Sequence, residues 1–220
     1  MSDIISNYGS LPIVGWLRIQ RIVRDEALED IDKQVRTIAE LSGLTADEVL
    51  RLPIADYKKG VAAAEFLTHP IEEDRRRRPA KVYRLAGLEL AVQEMEKMTT
   101  AQYIDAQTFI AQGEEGIIPL LSVFLVPKGK PYGEGYDVRQ VQQAVADHLS
   151  TEAVFDLTAF FLRRSARSML RTLRSLGRAR ASMERTAEIR TAAARLKEIM
   201  RRLSLSDGDG SQTWDWWRIQ

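Results

Sequence analysis

Residues 99–136 read TTAQYIDAQTFIAQGEEGIIPLLSVFLVPKGKPYGEGY and contain the most apolar run of the chain, IIPLLSVFLV at 117–126. Glycine-rich, charged segments border this run on both sides, QGEEG before it and PKGKPYGEG after it. A helix that crosses a bilayer needs about 20 apolar residues, so the run is too short to span a membrane. It predicts a buried helix that tolerates Pro119 in its first turn, with helices at 100–111 and 138–149 packed against it.

Charge divides the chain into parts. The net charge is only +1, but residues 1–162 carry 18 basic and 25 acidic side chains, whereas residues 163–202 carry 13 basic and 3 acidic ones. An acidic body joined to a basic arm is an organisational feature in its own right. We predict a helical body over 1–162, a basic helical extension over 163–203, and a flexible linker with a tryptophan-rich tail over 204–220.

Apolar side chains spaced three and four residues apart predict helices through most of the body. The first helix is expected over 11–41 with a break near 24–26, and the last helix is expected to begin at Thr151. Segment 80–92, AKVYRLAGLELAV, is the only stretch that predicts β-structure, a small two-stranded hairpin. The predicted fold class is therefore mainly α, with one small β-hairpin and a long Arg-rich C-terminal helical extension. Residues 1–10 are predicted to be a loose leader.

Two threonines have the spacing of capping boxes. Thr45 is followed three residues later by Glu48, and Thr99 by Gln102. In a capping box the threonine hydroxyl accepts a backbone N–H of the first turn, and the Glu or Gln side chain accepts the N–H of the threonine. The pairs therefore predict helix starts at residues 46 and 100. Within the second helix, the expected buried side chains are Tyr103, Ile104, Phe109 and Ile110.

The basic arm carries a heptad seam, with apolar side chains at alternating steps of four and three residues. A second seam of the same spacing follows Gly177, from Ile189 to Leu203. The first seam consists of Leu162, Ala166, Met169, Leu173 and Leu176, and beside it lie Arg163, Arg167, Arg171, Arg174 and Arg178.

Arginines in this pattern can bind nucleic acid. They can also pair with an acidic partner helix, with a second copy of the chain, or with the acidic body of the same chain. Aromatic residues for base stacking do not interleave the stripe, which favours a protein partner over nucleic acid. The partner-binding candidates in the arm are Arg163, Arg167, Arg171, Arg174, Leu173 and Leu176.

The C-terminal tail carries three of the four tryptophans of the chain, Trp214, Trp216 and Trp217, after the polar segment SLSDGDGSQ. Exposed indoles favour association, because each ring offers a large apolar surface. We predict that the tail docks in a groove, either on its own body or on another protein.

The residues show no constellation that carries catalysis. The chain has no cysteine and two histidines, His69 and His148, which are expected at the surface. The loop KGKPYGEGYD at 128–137 lacks the glycine, lysine and serine order of a phosphate-binding loop, so it predicts a turn-rich connector. We predict a protein that is not an enzyme, without cofactor or metal. No secretion signal or membrane segment is visible, so the expected location is the cytoplasm.

Five phrases carry a resemblance to a known family. They are LSGLTADEVLRLPIADY at 41–57, AKVYRLAGLELAV at 80–92, MTTAQYIDAQTF at 98–109, LLSVFLVPKGKPYGEGYD at 120–137 and LTAFFLRRS at 157–165. In this order they resemble the tail assembly chaperones of long-tailed bacteriophages, of the kind found in phages of Bacteroidetes. The resemblance extends over residues 15–175, and the tail lies outside it.

The resemblance implies a non-catalytic protein, made in the host cytoplasm during infection. Such chaperones bind the long hydrophobic tape-measure protein while tail-tube subunits polymerise around it. Two alternatives remain open at this stage. One is a structural subunit of the virion near the connector or baseplate, and the other is a nucleic-acid-binding protein that uses the Arg-rich helix.

Overall fold

The computed structural model describes residues 4–69, 78–94 and 97–161 of the chain. This part is mainly helical, as predicted, with a three-stranded antiparallel sheet. The helices are α1 (Ile13–Arg24), α2 (Asp30–Ser42), α3 (Ala46–Leu50), α4 (Ile54–Ala64), α5 (Thr100–Ala111), α6 (Ile117–Phe124), α7 (Val138–His148) and α8 (151–161). A 3-10 turn at Glu65–Thr68 follows α4, and the strands are β1 (Val82–Leu85), β2 (Leu88–Val92) and β3 (Leu125–Pro127).

Helix α6 lies at the centre of the fold. It packs against both α5 and α7, which confirms the arrangement predicted from the apolar run. Pro119 occupies the first turn, where a missing N–H removes no helical hydrogen bond, and its carbonyl accepts the Ser122 hydroxyl at 2.6 Å. The main core extends from α6 into α1, α7, α8 and the sheet; its largest side chains include Trp16, Ile19, Leu90, Leu125, Leu149 and Leu157.

The first predicted helix is two helices, α1 and α2, and the break lies where the sequence placed it. Asp25 follows α1 in an extended conformation, and its side chain accepts the backbone N–H of Ala27 at 3.0 Å. Gly43 ends α2 with a φ of 69°, a left-handed conformation that glycine adopts without steric cost. Helices α2, α3 and α4 then enclose a small second cluster of apolar side chains.

Both predicted capping boxes are formed. The backbone N–H of Glu48 donates to the Thr45 hydroxyl, and the Glu48 carboxylate accepts the Thr45 N–H at 2.8 Å. The backbone N–H and the hydroxyl of Thr45 both donate to the Glu48 carboxylate, and these two hydrogen bonds lower the pKa of Glu48. Thr99 and Gln102 repeat the arrangement at α5, but Glu48 is exposed whereas Gln102 is buried.

The predicted hairpin at 80–92 is confirmed as β1 and β2, which pair antiparallel with Val82 opposite Ala91 and Leu85 opposite Leu88. The turn residues Ala86 and Gly87 both have positive φ, 48° and 79°. Two residues with positive φ make the tight turn whose twist suits a hairpin.

The apolar run at 117–126 was predicted to stay helical to residue 126, and no strand was predicted beyond the hairpin. Both predictions were wrong at residues 125–127. Residues 125–127 leave α6 and form β3, which pairs with β2 so that Ala91 lies opposite Val126. Leu125 and Val126 are both fully buried. An apolar run without alternation cannot distinguish a strand buried on both faces from a buried helix, so the sequence pattern gave no signal for this change.

The loose leader predicted at the N-terminus was also wrong over residues 4–10. The Ile5 N–H donates to a carbonyl in the last turns of α2 at 3.0 Å. The ring of Tyr8 meets Trp16 edge-on at 5.5 Å, and its hydroxyl donates to the carbonyl of His69 at 3.0 Å. Burial raises the pKa of Tyr8. The two hydrogen bonds join residues that are distant in sequence, and local periodicity cannot reveal such contacts.

Helix α8 begins at residue 151, as predicted, with the Ser150 hydroxyl accepting the N–H of Ala153. Thr151 donates both its N–H and its hydroxyl to the carbonyl of Leu11, at 2.7 and 2.8 Å. At the other end of the described segment, Phe161 stacks on Phe124 with the ring centroids 4.0 Å apart. The predicted continuation into the basic extension, both heptad seams and the tail lie outside the described residues.

Candidate interaction surface

The partner-binding residues named from the sequence all lie outside the part of the chain that the structure describes. They are Arg163, Arg167, Arg171, Arg174, Leu173, Leu176, Trp214, Trp216 and Trp217. Within the body, the candidate surface comes instead from large apolar side chains that stay exposed. These are Ile31, Leu50, Ile54, Tyr103 and Ile104.

Helix α5 turns a different face to the core from the one predicted. Tyr103 and Ile104, expected to be buried, are 47% and 57% exposed. The buried positions are Gln102 and Ala106, and Phe109 is half-buried. The helix is apolar or uncharged on nearly every side, so its amphipathic pattern is too weak to say which side packs on α6.

Six exposed side chains form the outer surface of α5, which we call the α5 face: Thr100, Ala101, Tyr103, Ile104, Thr108 and Ala111. At 3.6 residues per turn they cover roughly 160° of the helix circumference. Steps of three, four and three residues join Ala101, Ile104, Thr108 and Ala111 in a line along the helix. None of the six is charged, in a chain in which 29% of residues are charged.

The single charged side chain of α5, Asp105, lies off this face and accepts a hydrogen bond from Tyr132. Asp105 is half-buried, and its carboxylate accepts the hydroxyl of Tyr132 at 2.9 Å. Tyr132 belongs to the connector at 128–137, which is the turn-rich loop that the sequence predicted. Burial, and then the hydrogen bond to Asp105, raise the pKa of Tyr132. This contact fixes the connector against α5 beside the exposed surface.

Helix α5 is anchored to α6 on the side opposite the α5 face. Gln102 accepts the Thr99 N–H with its Oε1 at 2.9 Å and donates from Nε2 to the carbonyl of Val123 in α6 at 3.4 Å. In the α5–α6 turn, a Cβ added to Gly116 would overlap the carbonyl oxygen of Phe109. The close turn and the buried glutamine therefore fix the direction in which Tyr103 and Ile104 point.

If a partner covered the α5 face, the hydroxyl group of Thr108 would keep its hydrogen bond. The Thr108 hydroxyl donates to the carbonyl of Ile104 within the helix at 3.0 Å. A buried hydroxyl costs stability mainly when its donor loses its partner, and this donor keeps one. The line of small and apolar side chains thus suits the close approach of another helix.

The other large exposed apolar side chains are Ile31 in the first turn of α2, Leu50 at the end of α3 and Ile54 at the start of α4, and we call Ile31 and Ile54 the α2–α4 end. The Tyr57 hydroxyl donates to Gln34 Oε1 at 2.9 Å, and one turn later Gly60 packs against Ile38. Residue numbers rise together in these contacts, so the two helices run in the same direction where they meet. Ile31 and Ile54 each lie one turn before the Gln34–Tyr57 pair, where the helix pair opens to solvent.

Candidate metal ligands do not cluster over residues 4–69, 78–94 and 97–161. Both histidines are exposed there, as predicted. Within these ranges no three His, Asp or Glu side chains come close enough to hold a metal ion. None of the helices in the described body is both long and apolar enough to cross a membrane.

No protein-family model, curated protein or solved structure matches the chain. The features that bear on function are therefore the molecule's own surfaces. Of these, the α5 face is the larger and the more uniform in its chemistry. Its signal was present in the sequence, because TAQYIDAQTFIA carries one charge in twelve residues. The sequence did not indicate which side of α5 packs against α6.

Proposed function

We propose that the chain is a non-catalytic tail assembly chaperone of a long-tailed bacteriophage, which binds the tape-measure protein during tail morphogenesis. The observation that carries the proposal is the uncharged and exposed α5 face, on a helix that Gln102 anchors to α6. The identity of the client comes from the family resemblance of residues 15–175. Together they favour a protein that binds apolar helical segments of its client.

The shape of the α5 face suits a helical client. Ala101, Thr108 and Ala111 are small, so a second helix can approach to about 8–10 Å between axes. Ile104 and Tyr103 then supply apolar area, and covering their exposed parts contributes about 1 kcal/mol each. A client helix would dock by its apolar stripe, with residues at three- and four-residue spacing against this line.

A single helix face gives moderate affinity, which is what an assembly chaperone needs. Stable interfaces bury about 800 Å² on each partner, and one helix of twelve residues offers less. Weak contacts repeated along a long client can keep it covered and still give way when tube subunits replace the chaperone.

Salt separates this mode of binding from nucleic-acid binding. The α5 face carries no charge, so binding there should change little with ionic strength. Binding to nucleic acid through arginines releases counterions and weakens steeply as salt rises. A client affinity that holds between low and high salt is therefore expected from the proposed function.

The test is co-expression with the tape-measure protein of the same genome, whose soluble yield and co-purification are measured. Ile104→Glu should abolish both, because it places a charge at the centre of the apolar line. Ile31→Glu is the matched control: Ile31 is 52% exposed, but it lies on the α2–α4 end. Equal client yield with the two variants would contradict a client site on α5.

Mass spectrometry of purified particles addresses the structural-subunit alternative. A chaperone leaves before the tail is complete, so the chain should be absent from mature virions. Its presence at a fixed number of copies per particle would identify a virion subunit instead.

A further inference from the structure

We infer that two copies of the chain pair through their α5 faces when no client is bound, with the two helices antiparallel and the two-fold axis level with Ala106. As a control on client binding, this inference rests on the proposed function, because the client would use the same face. The pairing itself rests on the exposed apolar side chains, on the symmetry of their spacing, on the charges at the two ends of α5 and on the size of the face.

Two large apolar side chains, Tyr103 and Ile104, stay exposed next to each other on the α5 face. Contiguous exposed apolar surface is typical of sites where another protein binds. When the chain is alone in solution, the partner that is always present is a second copy. Two α5 faces do not repel each other, because neither carries a charge.

The line of side chains along α5 has the same spacing in both directions. Ala101, Ile104, Thr108 and Ala111 are separated by three, four and three residues, so the midpoint of the line is level with Ala106. A two-fold axis at this midpoint would place Ala101 opposite Ala111 of the second copy, and Ile104 opposite its Thr108. Such a self-complementary patch is what an interface with two-fold symmetry requires. Each isoleucine would then pack beside a small side chain, which allows the helix axes to approach closely.

Opposite charges lie beyond the two ends of the line, at equal distances from its midpoint. Lys97 is nine residues before Ala106 and Glu115 is nine residues after it, and both side chains are exposed. An antiparallel pair would bring Lys97 of each copy toward Glu115 of the other, whereas a parallel pair would bring like charges together. Lys97 Nζ lies 3.2 Å from its own Glu94, but the lysine side chain is 73% exposed and has three N–H donors, so it can donate to a second carboxylate as well.

The size of the face determines how strong the pair can be. Stable interfaces bury about 800 Å² on each partner, and a helix of twelve residues, about 18 Å long, offers less. We therefore expect a weak dimer that dissociates on dilution. A client helix that docks on the α5 face would displace the second copy. The pairing would thus keep Tyr103 and Ile104 covered until client is present.

The first test is the molar mass of the full chain without client, measured by analytical ultracentrifugation over about a hundredfold range of concentration. The unmodified chain should change from monomer to dimer as its concentration rises. Ile104→Glu should stay monomeric, because it would bury two carboxylates near the two-fold axis. The control Ile31→Glu should dimerise like the unmodified chain. A monomer at every concentration, or equal dimerisation of Ile104→Glu and the unmodified chain, would overturn the inference.

An exchange of charges tests the antiparallel direction. Lys97→Glu replaces two attractive contacts in the pair by two repulsive ones, so it should weaken dimerisation about tenfold at low ionic strength, and Glu115→Lys should do the same. The double variant, Lys97→Glu with Glu115→Lys, should restore dimerisation, because each charge again faces an opposite one. If the double variant dimerises no better than the single variants, the antiparallel pair is refuted.

Client binding separates this inference from the proposed function. Lys97 lies outside the α5 face, so Lys97→Glu should weaken the dimer and keep the client. If the unmodified chain stays monomeric and Ile104→Glu still loses the client, the inference fails and the proposed function stands. If the dimer forms as described and Ile104→Glu keeps the client, the proposed client site fails and the pairing stands.

Discussion

Two buried glutamines should respond in opposite directions to the same substitution, Gln→Met. Gln20 on α1 is fully buried, and neither of its amide atoms has a hydrogen-bond partner among the described residues. Gln102 on α5 is also buried, but its amide accepts the Thr99 N–H at 2.9 Å and donates to the Val123 carbonyl at 3.4 Å. Methionine is close to glutamine in volume and shape and has no strong hydrogen-bonding group, so the exchange isolates the polar term.

The expected magnitudes follow from those contacts. A buried polar group without a partner costs about 1–3 kcal/mol, so Gln20→Met should raise the free energy of unfolding by about 1–2 kcal/mol. Gln102→Met removes two hydrogen bonds worth about 1 kcal/mol each and leaves the Val123 carbonyl without that donor. It should lower the free energy of unfolding by about 2–3 kcal/mol.

Urea unfolding followed by far-UV circular dichroism measures both changes. Thermal unfolding gives a second reading, since 1 kcal/mol moves the midpoint by about 2–4 °C in a protein of this size. Gln20→Met should unfold above the unmodified protein and Gln102→Met below it. A loss of stability in Gln20→Met as large as that in Gln102→Met would refute the reasoning, because it would show that the Gln20 amide has a partner.

Three further predictions concern the backbone and a tyrosine. Gly116→Ala should lower the free energy of unfolding by about 2–3 kcal/mol, because the added Cβ would overlap the Phe109 carbonyl. Gly43→Ala should lower it by about 1 kcal/mol, because Gly43 lies in open space but has a φ of 69°. Equal urea midpoints for the two variants would contradict this. Ala86→Gly should raise it by up to about 1 kcal/mol, since Ala86 has a φ of 48°, and a decrease would speak against strain in the hairpin turn. Burial raises the pKa of Tyr83 from 10.0 to about 12, so the folded state favours its neutral form. The contribution of Tyr83 to the free energy of unfolding should hold below pH 10 and fall as the pH rises toward 12, and Tyr83→Phe should reduce that fall. An unchanged pH dependence in Tyr83→Phe would contradict this.

Local chemistry explains which parts of the fold the sequence predicted. The capping boxes at Thr45 and Thr99 depend on residues within one turn of each other, and both formed as predicted. The break at Asp25 is of the same kind. Such features are written in neighbouring residues, and tertiary packing did not override them.

Features that depend on distant contacts were missed. Residues 125–127 became a strand because β2 was there to pair with them, and residues 4–10 are held by α2, Trp16 and His69. The orientation of α5 failed for a related reason: a helix with one charge in twelve residues has several faces that could be buried. The candidate residues named in the arm and tail stay predictions. The α5 face exists because α6 covers the Gln102 side of the helix, which the sequence did not indicate.

The central claim is that the outer face of α5 contacts the tape-measure protein. The most direct measurement places a photo-reactive phenylalanine analogue at Tyr103 and, in a second variant, at Ile54 on the α2–α4 end. Each variant is irradiated in complex with the tape-measure protein, and the cross-linked peptides are identified by mass spectrometry. Cross-links to the tape-measure protein are expected from position 103 and none from position 54. Cross-links from position 54 alone would contradict it.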